Sequence, residues 1–352
     1  MCNEFNPILL QRTAGETMGE TSERPAVLVT GGAGYIGSHA ALALLDAGWP
    51  VVVIDNLTTG FDWAVPEGAF FEEGDIADAD LVARILSEQE IGAIMHFAGS
   101  VVVPDSVADP LGYYANNTVK SRALIESAVR GGVRHVIFSS TAAVYGIPDH
   151  IPVAEAAPAA PINPYGASKL MTERMLADSA AAYPINYCAL RYFNVAGADP
   201  AGRTGQSTAG ATHLIKVAVE AAIGKRDHVA IYGSDFDTPD GTGVRDYIHV
   251  SDLAAAHLAA LERLIAAPTE SLVLNCGYGR GYSVTEVLDS VDRVTNRKLE
   301  RRPAPRRAGD PPALVADNRA ILATLPWRPE RDNLDTIVAD ALAWERRLAE
   351  RR

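Results

Sequence analysis

The chain has 352 residues, 48% of them hydrophobic and 21% charged, with a formal net charge of −13. That length allows two domains or one domain with a substantial lobe, the composition is that of a soluble globular protein, and no apolar run approaches the ~20 residues of a membrane span. The acids are spread along the chain and argue against a nucleic-acid groove, and the one basic run is at residues 301–307.

Residues 1–25 are polar and aperiodic and lack the basic start and apolar middle of a signal peptide, so they are expected to form a flexible tail, with Met18 as an alternative start. Residues 27–29 form an apolar run that ends in Gly31, Gly34 and Gly37, spaced GxxGxxG, and an apolar helical segment follows at 40–45. Strand, glycine turn and helix in that order let backbone approach a pyrophosphate and place its charge on the helix N-terminus. A second apolar run, 51–54, ends at Asp55. An acid at that distance can hold both ribose hydroxyls and repels a 2′-phosphate, which points to NAD rather than NADP.

A third strand is expected at 69–72, leading to Asp75 and Ile76, and a fourth at 93–97, running into the small-residue turn Phe97, Ala98, Gly99, Ser100. Residues 110–131 have helical apolar spacing, with Tyr114, Leu124, Ile125 and Ala128 near one face and two glycines at the end. A fifth strand, 136–138, carries Ser139, Ser140 and Thr141 at its carboxyl end, the edge where such sheets bind ligands. After a turn-rich section, Tyr165 and Lys169 open a helix that extends to about residue 182; four apart, they share a face. A sixth strand follows at 186–191. Beyond Phe193 short helices (212–223, 252–265, 284–294) mix with short strands (229–232, 247–250, 272–275), closed by a helix over 334–348. The expected architecture is α/β: a Rossmann-type doubly wound parallel sheet at 26–193 and a smaller mixed α/β substrate lobe at 194–352, some of whose strands return to the main sheet. Cys2, Cys188 and Cys276 form no CxxC pair and have no His at metal spacing, so a reducing cytoplasm is expected, without disulfide or metal.

An unperturbed tyrosine, with a pKa of about 10, is a poor base at pH 7. An ammonium within hydrogen-bonding range and a cationic nicotinamide both favour the phenolate. Lys169 can supply the first, and Thr141 can hold the same substrate hydroxyl from the other side as hydride leaves carbon.

Several motifs carry a resemblance over about residues 27–344: TGGAGYIGSH (30–39), DNL (55–57), GDI (74–76), HFAG (96–99), SSTAAVYG (139–146) and PYGASK (164–169), then RYFNVAGA (191–198), DGTGVRDYIHVSDLA (240–254) and PRRAGDPP (305–312). Through them the chain resembles the UDP-glucose (UDP-galactose) 4-epimerases of the extended short-chain dehydrogenase/reductase family. The resemblance implies reversible inversion at carbon 4 through a transient 4-keto sugar with tightly bound NAD, in a cytoplasmic homodimer formed by the helices at 110–131 and 165–182. It implies Tyr165 as base, Lys169 as the group that lowers its pKa and holds the nicotinamide ribose, and Thr141 as the residue that orients the sugar hydroxyl. The NAD site would comprise Gly31, Gly34, Tyr35, Ile36, Gly37, Asp55, Asn56, Asp75, Ile76, Phe97, Ala98, Gly99, Asn116, Lys169 and Phe193. The UDP-sugar site would comprise Thr141, Tyr165, Asn194, His213, Leu214, Ala230, Ile231, Tyr232, Arg245, Arg307, Asp310 and Leu314. Arginine suits a diphosphate because its fork donates two parallel bonds; Arg301 and Arg302 are expected on a solvated face instead.

This chain departs from the family pattern at four positions: Thr141 replaces a serine, Val101 a lysine that touches the cofactor, His213 an asparagine and Leu314 a tyrosine beside the hexose. A 4,6-dehydratase would need an acid and a base after the hydroxyl residue, where this chain has Ala142 and Ala143. Epimerases of UDP-pentoses or UDP-N-acetylglucosamine are alternatives within the family, and a non-catalytic NAD-binding regulator is the alternative from another class.

Overall fold

Seven parallel strands form the central sheet of the computed structural model, which describes residues 24–307 and 310–351. Most of the expected tail, with Cys2 and Met18, lies outside the described residues, as do Ala308 and Gly309. The strands are β1 (Ala26–Thr30), β2 (Val51–Asp55), β3 (Phe70–Glu73), β4 (Ile91–His96), β5 (His135–Thr141), β6 (Asn186–Tyr192) and β7 (Leu272–Cys276), in the spatial order β7-β6-β5-β4-β1-β2-β3. Both faces are covered by helices, so the central strands are buried along nearly their whole length, with apolar runs in β1, β2 and the first half of β5. Val27, Val29, Val53 and Met95 point to one layer, where helices Tyr35–Asp46 and Val250–Ala266 pack. Leu28, Val52, Ile54 and Ile94 point to the other, against Val82, Ile85, Leu124, Ile125 and Leu176. The chain leaves the sheet in opposite directions from β1 and β4, and such a switch point opens a crevice at the carboxyl ends of the strands.

Three helices differ from the sequence expectations. Helix Ala79–Glu88, absent from the sequence reading, lies between β3 and β4; Asp78 caps it by accepting from Leu81 N–H, and Val82, Ile85 and Leu86 are its buried stripe. The helix expected from residue 40 begins at Tyr35, directly on the glycine turn. The helix expected over 110–131 is Pro110–Tyr113, a π turn at Tyr114–Val119 and Lys120–Arg130. The wider turn changes the phase, so Tyr113 and Asn117 are buried rather than Tyr114. The strand of the second half that returns to the main sheet is Leu272–Cys276, the edge strand β7, paired in parallel with β6.

The rest of the second half is built around Val244–His249, which pairs with Asn194–Ala196, Gly281–Ser283 and Ala313–Leu314. Val229–Tyr232 pairs separately with Arg301–Ala304. A further core is shared by helices Leu214–Ala222, Val284–Thr295 and Leu334–Glu350. The expectation for Arg301 fails. Its side chain is 18% exposed and its guanidinium is paired with Asp289 at 2.7 Å and Asp292 at 2.5 Å, anchoring its strand to the neighbouring helix. Arg302 is exposed and paired with Glu300.

Candidate active site

The glycine turn is fixed by contacts that no side chain would allow. Gly31 has φ +70°, and a Cβ there would lie 2.7 Å from Ala98 N; one on Gly37 would lie 2.2 Å from the Gly31 carbonyl oxygen. This close approach brings the ends of β1 and β4 together, with Phe97 N–H donating to the Thr30 carbonyl at 3.0 Å. Gly34 caps the 12-residue helix Tyr35–Asp46 without a side-chain hydrogen bond, and the first turn carries no acid. An uncapped helix N-terminus behind a glycine turn fits a diphosphate.

The Asp55 carboxylate accepts from Ala33 N–H at 3.0 Å and Leu57 N–H at 2.9 Å, joining the end of β2 to the turn. Burial raises its pKa, against the lowering effect of those two donors. Asn56 accepts from Thr58, and Ile76 is buried. Burial would raise the Asp75 pKa too, but the ammonium of Lys120, 2.5 Å away, and Ala77 N–H hold it below the ordinary value.

On the other side of the switch point, Tyr165 and Lys169 project from helix Pro164–Ala182, which Asn163 caps by accepting from Gly166 N–H. Both are buried. Lys169 Nζ donates to the Ser139 carbonyl at 3.0 Å and lies beside Gly99, 3.7 Å from where a Cβ would be, while the tighter neighbour of that position is Asn117 Oδ1 at 3.1 Å. Burial lowers the Lys169 pKa to about 8. The Tyr165 phenol is pushed up to about 12, also by burial, with the Thr141 hydroxyl working in the opposite direction. Thr141 Oγ1 accepts from Ala143 N–H at 3.1 Å, which fixes its rotamer at the end of β5. Burial thus disfavours both charged forms in the protein alone, and the phenolate must be drawn out by positive charge beside it.

Two residues that sequence reasoning did not single out hold this arrangement. Asn117 accepts from Ser100 N–H at 2.7 Å and donates to the Ser100 carbonyl at 2.9 Å and to Ser168 Oγ at 3.1 Å. It clamps the turn after Gly99 to the helix that carries Lys169, while the expected Asn116 donates to Ser100 Oγ at 3.0 Å. Glu173, one turn beyond Lys169, accepts from the Ser140 hydroxyl and pairs with Arg191. The i, i+4, i+8 spacing of Tyr165, Lys169 and Glu173 was the available signal.

The residues expected at the sugar nucleotide are placed in the second half, next to this edge. Asn194 and Tyr35 line one cleft with His213 and Leu214, and the Tyr35 hydroxyl donates to the Gly197 carbonyl at 2.8 Å. Arg245 and Leu314 sit opposite each other in paired strands. Leu314 is buried with Ala142, Val144, Tyr145 and Val153, and Phe193 packs on the same cluster, so Leu314 abuts the segment that follows Thr141. Asp310 lies 3.7 Å from the Arg245 guanidinium. Arg307 lies over the Tyr232 ring, 3.8 Å from its centroid, at the strand that includes Ala230 and Ile231. Val101, at the expected lysine position, is exposed.

Residues 27–277 match the NAD dependent epimerase/dehydratase family. Among curated relatives, UDP-glucose 4-epimerase from Azospirillum brasilense is 56% identical over 94% of both chains. The structure of UDP-glucose 4-epimerase from Brucella ovis in complex with NAD superposes with a TM-score of 0.88 at 45% identity, covering 91% of this chain and 98% of that one. That of UDP-glucose 4-epimerase from Stenotrophomonas maltophila, with bound NAD and formylated UDP-arabinopyranose, gives 0.90 at 37% identity, covering 94% and 100%.

Proposed function

This chain belongs to the NAD dependent epimerase/dehydratase family, and from that premise we propose that it interconverts UDP-glucose and UDP-galactose by inversion at carbon 4. The observation that carries the reading is the convergence of Thr141, Tyr165 and Lys169 with Gly99 at the sheet edge, beside an uncapped helix N-terminus. NAD, which the glycine turn, Asp55 and Lys169 would hold, would supply the hydride acceptor and donor for carbon 4.

Tyr165 removes the proton of the 4-hydroxyl and later gives it back. Thr141 holds the same oxygen, so the proton moves along one path. Lys169, with a pKa of about 8, is mostly protonated at pH 7, and its positive charge on the same helical face favours the phenolate. Arg245 and Arg307 suit the diphosphate, and Leu314 is a wall of the hexose pocket. Ala142 and Ala143 supply no carboxylates for water elimination, which disfavours a dehydratase. We assign residues 26–193 chiefly to the cofactor and most of 194–352 to the sugar nucleotide.

Purified protein is expected to carry NAD and to interconvert the two sugars without added oxidant. Strict dependence on NADP, or reduced cofactor accumulating in step with product, would overturn the assignment. The same assay with UDP-N-acetylglucosamine and UDP-arabinose tests the pocket. Leu314→Tyr should suppress the N-acetyl substrate selectively and Leu314→Gly should raise it, within the ~10–200-fold range of a hydrophobic pocket. If neither changes the kcat/KM ratio, substrate range is set elsewhere.

We place the protein in the cytoplasm as a homodimer without nucleic-acid partners. Cys188 and Cys276 are free and buried, and among the described residues no helix is long and apolar enough to cross a membrane. Leu111, Val119 and Met171 are 78%, 60% and 42% exposed on the two segments expected to pair. Two such helices from each subunit can form a four-helix interface. Light scattering at micromolar concentration should give twice the chain mass, and Leu111→Asp should shift it toward one. A monomeric wild type refutes the dimer.

A further inference from the structure

The last helix of the chain reaches back to the loop that follows Asp55. That loop leaves β2 through Asn56 and returns at Val65, and it is tied to the glycine turn by the Phe61 N–H, which donates to the Ala33 carbonyl at 3.0 Å. Gly60 lies so close that a Cβ there would be 3.0 Å from Ala33. Beyond this tie the loop presents Trp63, which is 39% exposed and has no part in the chemistry described above. Its ring packs on Phe61 at 5.1 Å and stacks with Trp344 of helix Leu334–Glu350 at 6.2 Å, with 30° between the planes. The Arg351 guanidinium covers both indoles, 4.7 Å from the Trp63 centroid and 5.7 Å from that of Trp344.

Trp344 is a firm anchor for this stack. It is 2% exposed, and its indole N–H donates to Ser207 Oγ at 3.2 Å. Its ring occupies the space of the missing side chain of Gly205, where a Cβ would come within 2.4 Å. A small cavity bounded by Gly34, Tyr35, Phe61 and Ser207 lies between the loop, the glycine turn and this anchor. A surface loop with one backbone hydrogen bond to the turn would open at little cost. An aromatic stack and a cation over it resist that opening.

We propose that Trp63, Trp344 and Arg351 form a latch that holds the loop after Asp55 and Asn56 against the glycine turn and thereby slows release of the dinucleotide. The inference rests on the NAD reading above. It assigns the C-terminal helix a part in cofactor retention, with Trp63 as a positioning residue. By linkage, a latch that favours bound dinucleotide must itself be tightened by it.

Bound NAD remaining after timed desalting measures the release rate, and hydrogen exchange over residues 334–350 measures the reciprocal effect. Trp63→Ala should release NAD about tenfold faster, the scale of one stack plus one cation–π contact. It should keep the wild-type kcat at saturating NAD, and NAD should no longer slow exchange in the last helix. Trp63→Phe should recover most of the retention, and Arg351→Ala should lose part of it. Tyr183→Ala, an exposed aromatic at the far end of the catalytic helix, should behave as wild type. Trp63 is part-exposed, so its removal leaves the core intact and folding is not at issue. Unchanged release in Trp63→Ala, with wild-type chain retaining NAD, overturns the latch. A wild-type chain that binds no NAD overturns the proposed function instead.

Discussion

Replacing Tyr165 with phenylalanine is expected to lower kcat for UDP-glucose epimerisation by about 10²–10⁴-fold, the range for loss of a general base. The ring is buried and its packing survives the change; what disappears is the one hydroxyl that faces Thr141. Thr141 keeps its bond from Ala143 N–H, so the sugar hydroxyl retains one of its two holders, and UDP binding should be nearly unaltered. Lys169→Met probes the same unit from below. Burial, partly offset by the Thr141 hydroxyl, already pushes the phenol up to about 12, and removing a positive charge that favours the phenolate should move the rate profile further upward. Initial rates across pH, with bound NAD quantified in each variant, check both. Retention of more than a tenth of wild-type turnover in Tyr165→Phe would remove Tyr165 from the mechanism.

What made this site legible in the sequence was local. Gly31, Gly34 and Gly37 sit within one turn and Thr141 at the end of an apolar run, which put them at the carboxyl edge of the sheet, while the spacing of Tyr165 and Lys169 showed one shared helical face and the family resemblance supplied their place in the site. Contacts between distant segments were not legible. Asn117 acts through a π turn, which departs from the 3.6-residue period that pattern reading assumes, and Tyr113 rather than Tyr114 faces inward for the same reason. Arg301 looks like a surface charge in a basic run, yet Asp289 and Asp292 come from a helix whose docking no local pattern announces. β7 is separated from its partner β6 by some eighty residues, and only the folded sheet shows that it is this strand of the second half that returns to it. Helix Ala79–Glu88 is a different matter, because Asp78 followed by Val82, Ile85 and Leu86 was a readable cap and stripe.

The largest stability effect is expected one layer beneath the catalytic residues. Arg191 on β6 donates to Glu173 through Nε at 3.0 Å and Nη2 at 2.6 Å, and to the Tyr145 hydroxyl through Nη1 at 3.0 Å. The two charged side chains are only 8% and 5% exposed. Burial alone would lower the arginine pKa, but the bonds to Glu173 and Tyr145 hold it above its ordinary value. Arg191→Leu would strand a carboxylate in the core, and removing one partner of a buried pair costs about 3–5 kcal/mol. Arg191→Leu combined with Glu173→Met leaves no buried charge and should recover most of that loss, since apolar replacement of a whole buried pair is often neutral. Activity should not recover with it: Glu173 accepts from Ser140, the neighbour of Thr141, and ties β5 to the helix of Tyr165 and Lys169. Urea denaturation of the two single variants and the double variant, with kcat measured on each, separates these effects. A single-variant cost below about 1 kcal/mol, the range of an exposed ion pair, would show that the pair does not act as a buried one.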